Sequence, residues 1–73
     1  MKEDRVVEII KKELAVETLD LDVDGQWDSL DLITVLMALD VVYEEKLKDI
    51  RELQTVKKPR DIIDILKQHG LLD

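Results

Sequence analysis

The segment from residue 28 to residue 43 is apolar on two opposite faces of a helix. At about 100° per residue, one face carries Leu32, Val35, Leu36, Leu39, Val42 and Tyr43. The other face carries Leu30, Ile33, Met37 and Val41, with Thr34 among them. A helix that is apolar all round is normally buried on both sides. A chain of 73 residues has few helices to cover both faces, so either they wrap this helix or the second face is exposed and binds a partner or ligand.

Periodic apolar residues predict two further helices. Residues 3–14 place Val6, Ile9, Ile10 and Leu14 on one face. A last helix begins near Pro59, which suits a first turn, and stops at Gly70. Its apolar positions are Ile62, Ile63, Ile65 and Leu66.

The remaining segments are less regular. A short, weaker helical piece is predicted over Asp49–Leu53, and residues 16–28 have no helical period. The second helix should begin at Asp28-Ser29 and end near Tyr43 or Glu45, with the Asp28 carboxylate as its N-cap. Alternation of apolar and acidic residues over 19–23 stands alone and predicts no sheet. We therefore expect one all-α domain over 1–73: a small four-helix bundle, of three main helices and a short third helix, with a long loop between helices 1 and 2.

Composition excludes several classes of function. Eighteen acidic and eleven basic residues give a net charge of −7, which disfavours nucleic acid as a partner because phosphate contacts need clustered cations. The chain has no cysteine and one histidine, His69, so disulfides, cysteine zinc sites and a cysteine nucleophile are excluded. No apolar run is long enough for a membrane span or a signal peptide. A small domain without chemistry of its own is expected.

Most of the net charge lies between residues 17 and 31. This stretch contains six acids and no base: Glu17, Asp20, Asp22, Asp24, Asp28 and Asp31. An acidic run is usually a solvated loop, but this one leads directly into the most apolar helix.

One interpretation of the acidic run is a calcium site. Asp20, Asp22, Asp24, Asp28 and Asp31 occupy positions 1, 3, 5, 9 and 12 of an EF-hand loop, with Gly25 at position 6. Three features weaken this pattern. The closing residue is Asp31 instead of glutamate, Leu21 and Val23 fill positions that usually face solvent, and residues 15–19 separate the first helix from the loop.

A second interpretation is a covalent attachment site at Ser29. A serine at an exposed helix start is accessible to a modifying enzyme, and a phosphodiester there would lie near the positive end of the helix dipole. The alternative is that Ser29 is a plain capping residue.

The sequence Asp28-Ser29-Leu30-Asp31, followed by Leu-Ile-Thr-Val-Leu-Met-Ala-Leu-Asp over 32–40, resembles the signature of the acyl carrier protein family. Tyr43 lies where an aromatic residue usually closes that helix. The similarity spans about residues 3–66, and only residues 28–43 are specific. The helix order, acidity and lack of cysteine are also similar.

The resemblance implies that Ser29 receives 4′-phosphopantetheine from coenzyme A through a separate phosphopantetheinyl transferase. The chain would be a cytoplasmic, monomeric, non-enzymatic carrier. It would deliver acyl or aminoacyl thioesters to ligases, synthases and transferases of fatty-acid, lipid, polyketide or peptide biosynthesis. Residues matching partner-binding positions are Asp28, Leu30, Asp31, Met37 and Asp40. The EF-hand-like calcium protein remains the alternative.

Some positions depart from the family pattern. Thr34, Val41 and Val42 are often acidic in fatty-acid carriers, and Gln26 stands where glycine usually precedes the signature. Residues 57–60, Lys-Lys-Pro-Arg, resemble a short basic insertion before the last helix. These departures favour a specialised carrier over one for general fatty-acid synthesis.

Overall fold

Three α-helices and one 3₁₀ helix build the fold, in a computed structural model that describes residues 2–72. The helices are α1 (Glu3–Leu14), α2 (Ser29–Val42), a 3₁₀ helix (Arg51–Thr55) and α3 (Pro59–Gln68). Residues 2–72 contain no β-strand, and residues 19–23, with their alternating pattern, form turns and irregular backbone. The all-α prediction is confirmed.

One cluster of apolar side chains forms the core. α1 packs chiefly on α2, and α3 closes the cluster together with the 3₁₀ helix. The buried members are Val6, Ile10, Val35, Leu39, Tyr43, Leu47, Ile50, Leu53, Val56, Ile62, Ile63 and Leu66. Four of them come from the irregular stretch 47–56. Burial of these four side chains stabilises the position of the segment, although it has little regular secondary structure.

The short helix differs from the expectation in position and type. It covers Arg51–Thr55 instead of Asp49–Leu53, and it is a 3₁₀ helix. Ile50, Leu53 and Val56 are all buried and lie three residues apart. A 3₁₀ helix has three residues per turn and places such side chains on one line. The spacing of the apolar residues therefore accounts for the tighter helix.

α2 ends one to three residues earlier than expected. Tyr43 is its C-cap, and Glu44 and Glu45 have φ angles of 55° and 67°, which cannot continue an α-helix. Val42 was predicted to lie in the core face but is 40% exposed. The buried line of α2 is Val35, Leu39 and Tyr43, spaced by four residues, and Val42 lies about 100° to one side of it.

The ends of α1 and α3 use left-handed residues. Gly70 has φ 71°, and the Leu71 N–H donates to the Leu66 carbonyl at 2.8 Å, as in a glycine-terminated helix. The predicted stop at Gly70 is confirmed. α1 also ends at a left-handed residue, its C-cap Ala15, with φ 56°. The Ala15 N–H donates to the carbonyls of Lys11 and Lys12.

Among the helices of residues 2–72, none has the length and apolar character that crossing a membrane requires.

Candidate functional site

The start of α2 is capped by Asp28 and not by Ser29. Asp28 has extended backbone, and its Oδ1 accepts the Asp31 N–H at 2.8 Å. This satisfies one of the unpaired amides of the first turn. Ser29 is the first helical residue, its side chain is exposed, and it is the only serine in the chain. Its hydroxyl is therefore not needed as the cap and faces solvent.

Asp28→Ala is expected to destabilise the protein by about 0.5–2 kcal/mol, because the cap hydrogen bond is lost. Asp28→Asn keeps a side-chain oxygen at the same place and should cost much less. Urea unfolding followed by circular dichroism at 222 nm measures both. Equal losses in the two variants would show that the charge of Asp28, and not its hydrogen bond, stabilises α2.

Two surface depressions meet at Ser29. The larger, called here the apolar groove, has a volume of about 630 Å³. It is lined by Ser29, Leu32, Ile33, Leu36, Met37, Asp40, Leu47, Lys48, Ile50, Leu53 and Gln54. The smaller, called here the tryptophan cleft, has a volume of about 570 Å³. It is lined by Asp24, Gly25, Trp27, Asp28, Ser29, Leu32, Gln54, Thr55, Val56 and Lys57. Ser29, Leu32 and Gln54 line both, so a group attached to Ser29 can reach either depression.

The second apolar face of α2 is exposed, so the other helices within residues 2–72 do not cover it. Leu30, Ile33, Met37 and Val41 are 74%, 53%, 65% and 78% exposed. They form a continuous line of apolar side chains beside the apolar groove, which Ile33 and Met37 also line. A line of this length on a small protein indicates a binding surface.

Three of the five acids of the calcium alternative make separate hydrogen bonds. Asp20 Oδ1 accepts the Asp22 N–H at 3.0 Å, and Asp22 Oδ1 accepts from Arg60 Nε at 3.3 Å. Asp28 caps α2. Within residues 2–72 no three acidic or histidine side chains are grouped closely enough to hold a metal ion. The EF-hand spacing of Asp20, Asp22, Asp24, Asp28 and Asp31 therefore does not gather a ligand set here.

Asp40 has an internal partner, in contrast to the purely external role that the resemblance implies for it. It is half-buried, and its Oδ1 accepts the Leu47 N–H at 3.1 Å. Its carbonyl accepts the Glu45 N–H at 2.8 Å. Asp40 thus fastens the turn after α2 and shapes the far end of the apolar groove. Asp31, by contrast, is exposed near Ser29.

The basic stretch 57–60 anchors the acidic segment. The Arg60 N–H donates to the Leu21 carbonyl at 2.8 Å, and the Gly25 N–H donates to the Lys57 carbonyl at 3.2 Å. The Arg60 guanidinium also lies 3.5 Å from Glu3. Its hydrogen bond to Asp22 raises the pKa of Arg60 above its usual value. Arg60 therefore holds the segment around residues 21–25 against α3 through both its backbone N–H and its guanidinium.

Gln26 and Lys57 are site residues whose roles the sequence did not predict. Gln26 Nε2 donates to the carbonyls of Asp20 and Val23 at 2.6 and 2.7 Å, and so closes the loop just before Trp27. Lys57 lines the tryptophan cleft with Ser29. The sequence did mark both places, because Gln26 and the basic stretch 57–60 depart from the carrier pattern.

No protein-family model, curated protein or solved structure matches this chain. What the site can do is therefore argued from its own residues.

Proposed function

We propose that the chain is a carrier protein that holds acyl or aminoacyl groups as thioesters on a 4′-phosphopantetheine arm attached to Ser29. The observation that carries the proposal is the exposed hydroxyl of Ser29 at the meeting point of two surface depressions. Because Asp28 caps the helix, the interpretation of Ser29 as a plain capping residue is not needed.

The prosthetic arm supplies a thiol, which the cysteine-free chain lacks. The chain supplies the attachment oxygen, the first-turn amides of α2 near a phosphodiester, and a surface for the cargo. The protein itself catalyses nothing in this proposal. Phosphopantetheinyl transferase and the ligases, synthases or transferases of a biosynthetic pathway are its partners.

The apolar groove is the surface that best suits the cargo. The inner face of α2 leaves no space for a chain, because Val35 and Leu39 are fully buried in the core. The groove instead runs from Ser29 past Leu36 and Leu53 on the surface. An acyl chain lying there would remove apolar surface from water on both sides. We therefore assign the cargo to the groove and not to the interior.

Partner enzymes are proposed to dock on the exposed face of α2. Leu30 and Met37 are exposed apolar side chains on the helix that begins at the attachment serine. Asp28 and Asp31 stand at the same helix end and carry exposed carboxylates. A partner with a basic rim around an apolar patch would be steered to this end of α2 by charge and held by the apolar contact.

The order of elements is also compatible with a carrier domain. α1 is followed by fourteen residues without a helix, then by α2, the short 3₁₀ helix and α3. The proposal accordingly includes a small four-helix bundle, with the 3₁₀ helix as its short third helix and a long loop between the first two helices.

The test is modification in vitro. The purified chain is incubated with coenzyme A, Mg²⁺ and a broad-specificity phosphopantetheinyl transferase, and its intact mass is measured. We expect wild type to gain the mass of one phosphopantetheine and Ser29→Ala to gain none. Titration with a thiol reagent gives an independent count, because the unmodified chain has no cysteine. One thiol per chain is expected after modification.

A circular dichroism spectrum identical to that of wild type shows that Ser29→Ala is folded, as expected because Ser29 is exposed and does not cap α2. A wild-type chain that gains neither mass nor thiol, with a known carrier protein modified in the same tube, would refute the proposal.

A further inference from the structure

We infer that the tryptophan cleft binds the phosphate end of the arm, with Lys57 beside the phosphate and Trp27 against the dimethyl carbon that follows it. This inference rests on the proposed function and adds to it a binding site for one half of the prosthetic group. The apolar groove is then left for the cargo.

Charge is the first argument. Asp24 and Asp28 line the tryptophan cleft, and a phosphodiester on Ser29 would bring a further negative charge to the same place. Among the described residues, 2–72, Lys57 is the only lysine or arginine that lines this cleft. An ammonium group next to the phosphate offsets the repulsion, and such charge-assisted contacts are among the stronger hydrogen bonds in proteins.

The position of Lys57 is fixed by its backbone. Its N–H donates to Asp61 Oδ2 at 3.2 Å, and its carbonyl accepts the Gly25 N–H at 3.2 Å. The residue is therefore tied both to α3 and to the loop that carries Trp27. Its side chain remains exposed. Because the backbone is already anchored, only the lysine side chain has to lose conformational entropy when a ligand binds.

Lys57 also differs from the lysine of the apolar groove in its ion pairing. Lys48 lies 3.3 Å from Glu45. Within residues 2–72 the structure gives the Lys57 ammonium no such acid partner. Of the two lysines that face the depressions at Ser29, Lys57 is thus the one whose charge is available to a phosphate.

Trp27 supplies the apolar wall. Its indole is half-buried, packs against the core and lines the cleft beside Ser29. A tryptophan ring offers a large rigid apolar surface at little entropic cost. In phosphopantetheine a CH2 group links the phosphate oxygen to a carbon that carries two methyl groups, and this branched carbon is the part of the arm that the wall suits.

The experiment uses Trp27 as its own probe, because it is the only tryptophan in the chain. Quenching of its fluorescence by acrylamide is measured before and after modification with coenzyme A and the transferase. Intact mass establishes in the same samples that the arm is attached. We expect the quenching constant of the wild-type protein to fall by about twofold on modification, because the arm covers the ring.

Lys57→Gln is the informative variant and Lys58→Gln is its matched control. Both remove one positive charge, and Lys58 is the neighbouring residue but does not line the cleft. The charge contact at an exposed site should favour the seated arm by about two- to fivefold. Modified Lys57→Gln should therefore lose about one third to two thirds of the protection of Trp27, whereas modified Lys58→Gln should keep it.

The outcomes separate the inference from the proposed function. A chain that gains no mass overturns both. A chain that gains the arm while the quenching of Trp27 is unchanged supports the carrier function and overturns the cleft as the binding site. Equal loss of protection in Lys57→Gln and Lys58→Gln would refute the specific part assigned to Lys57.

Discussion

Leu39→Ala is expected to leave much of the chain unfolded at 25 °C. Leu39 is fully buried in the last turn of α2, in the apolar core of a 73-residue chain. Truncating a buried leucine costs about 2–5 kcal/mol, including the cavity that it leaves. A core of this size supplies only roughly 3–5 kcal/mol of net stability. The substitution therefore removes most or all of what keeps the protein folded.

Leu30→Ala is the matched control, because it makes the same chemical change in the same helix. Leu30 is 74% exposed, so its loss should change the free energy of unfolding by less than about 0.5 kcal/mol. Urea unfolding of the three proteins at one temperature measures the difference. Similar stabilities for the two variants would mean that α2 does not bury the face that carries Leu39.

The contrast between Leu39 and Leu30 shows how far the sequence predicts α2. Helical spacing predicted both apolar faces and assigned Leu39 to the inner one. Spacing alone could not say whether the outer face is covered, since that depends on how far α1 and α3 wrap around α2. It also misplaced Val42, because this residue lies about 100° to one side of the buried line set by Val35, Leu39 and Tyr43.

The candidate site was predictable at Ser29 and not in its surroundings. Asp28-Ser29 at a predicted helix start indicated an accessible serine. The two depressions depend on residues 47–57, where a 3₁₀ helix and turns follow no pattern as clear as an amphipathic α-helix. The cleft contact of Lys57 depends in addition on a hydrogen bond to Gly25, thirty-two positions earlier in the chain.

The acidic segment shows the same limit. Its five carboxylates and Gly25 matched the spacing of an EF-hand loop, yet spacing gives only the order of residues along the chain. The partner of Asp22 is Arg60, thirty-eight residues away, and Asp28 is engaged as a helix cap. These partners decide what each carboxylate does, and the loop motif contains no information about them.

Replacing Glu44 and Glu45 by glycine is expected to stabilise the protein, by about 1–2 kcal/mol for the double variant. Both residues have left-handed backbone, with φ angles of 55° and 67°. This conformation costs a residue with a Cβ about 1–2 kcal/mol, and glycine adopts it freely. The gain is reduced because glycine loses about 0.5–1 kcal/mol more entropy on folding. Loss of the exposed Glu45–Lys48 pair subtracts little more.

Lys46→Gly supplies the control in the same turn, because Lys46 is not among the residues with positive φ. There glycine brings only its entropic cost, and the variant should be destabilised by about 0.5–1 kcal/mol. Opposite signs for neighbouring glycine substitutions, measured by urea unfolding, are the expected result. Destabilisation by both would show that the turn is not left-handed at residues 44 and 45.

Since Asp40 holds this turn through Glu45 and Leu47, the double glycine variant at residues 44 and 45 should keep the shape of the apolar groove. Its modification at Ser29 should therefore proceed at the wild-type rate.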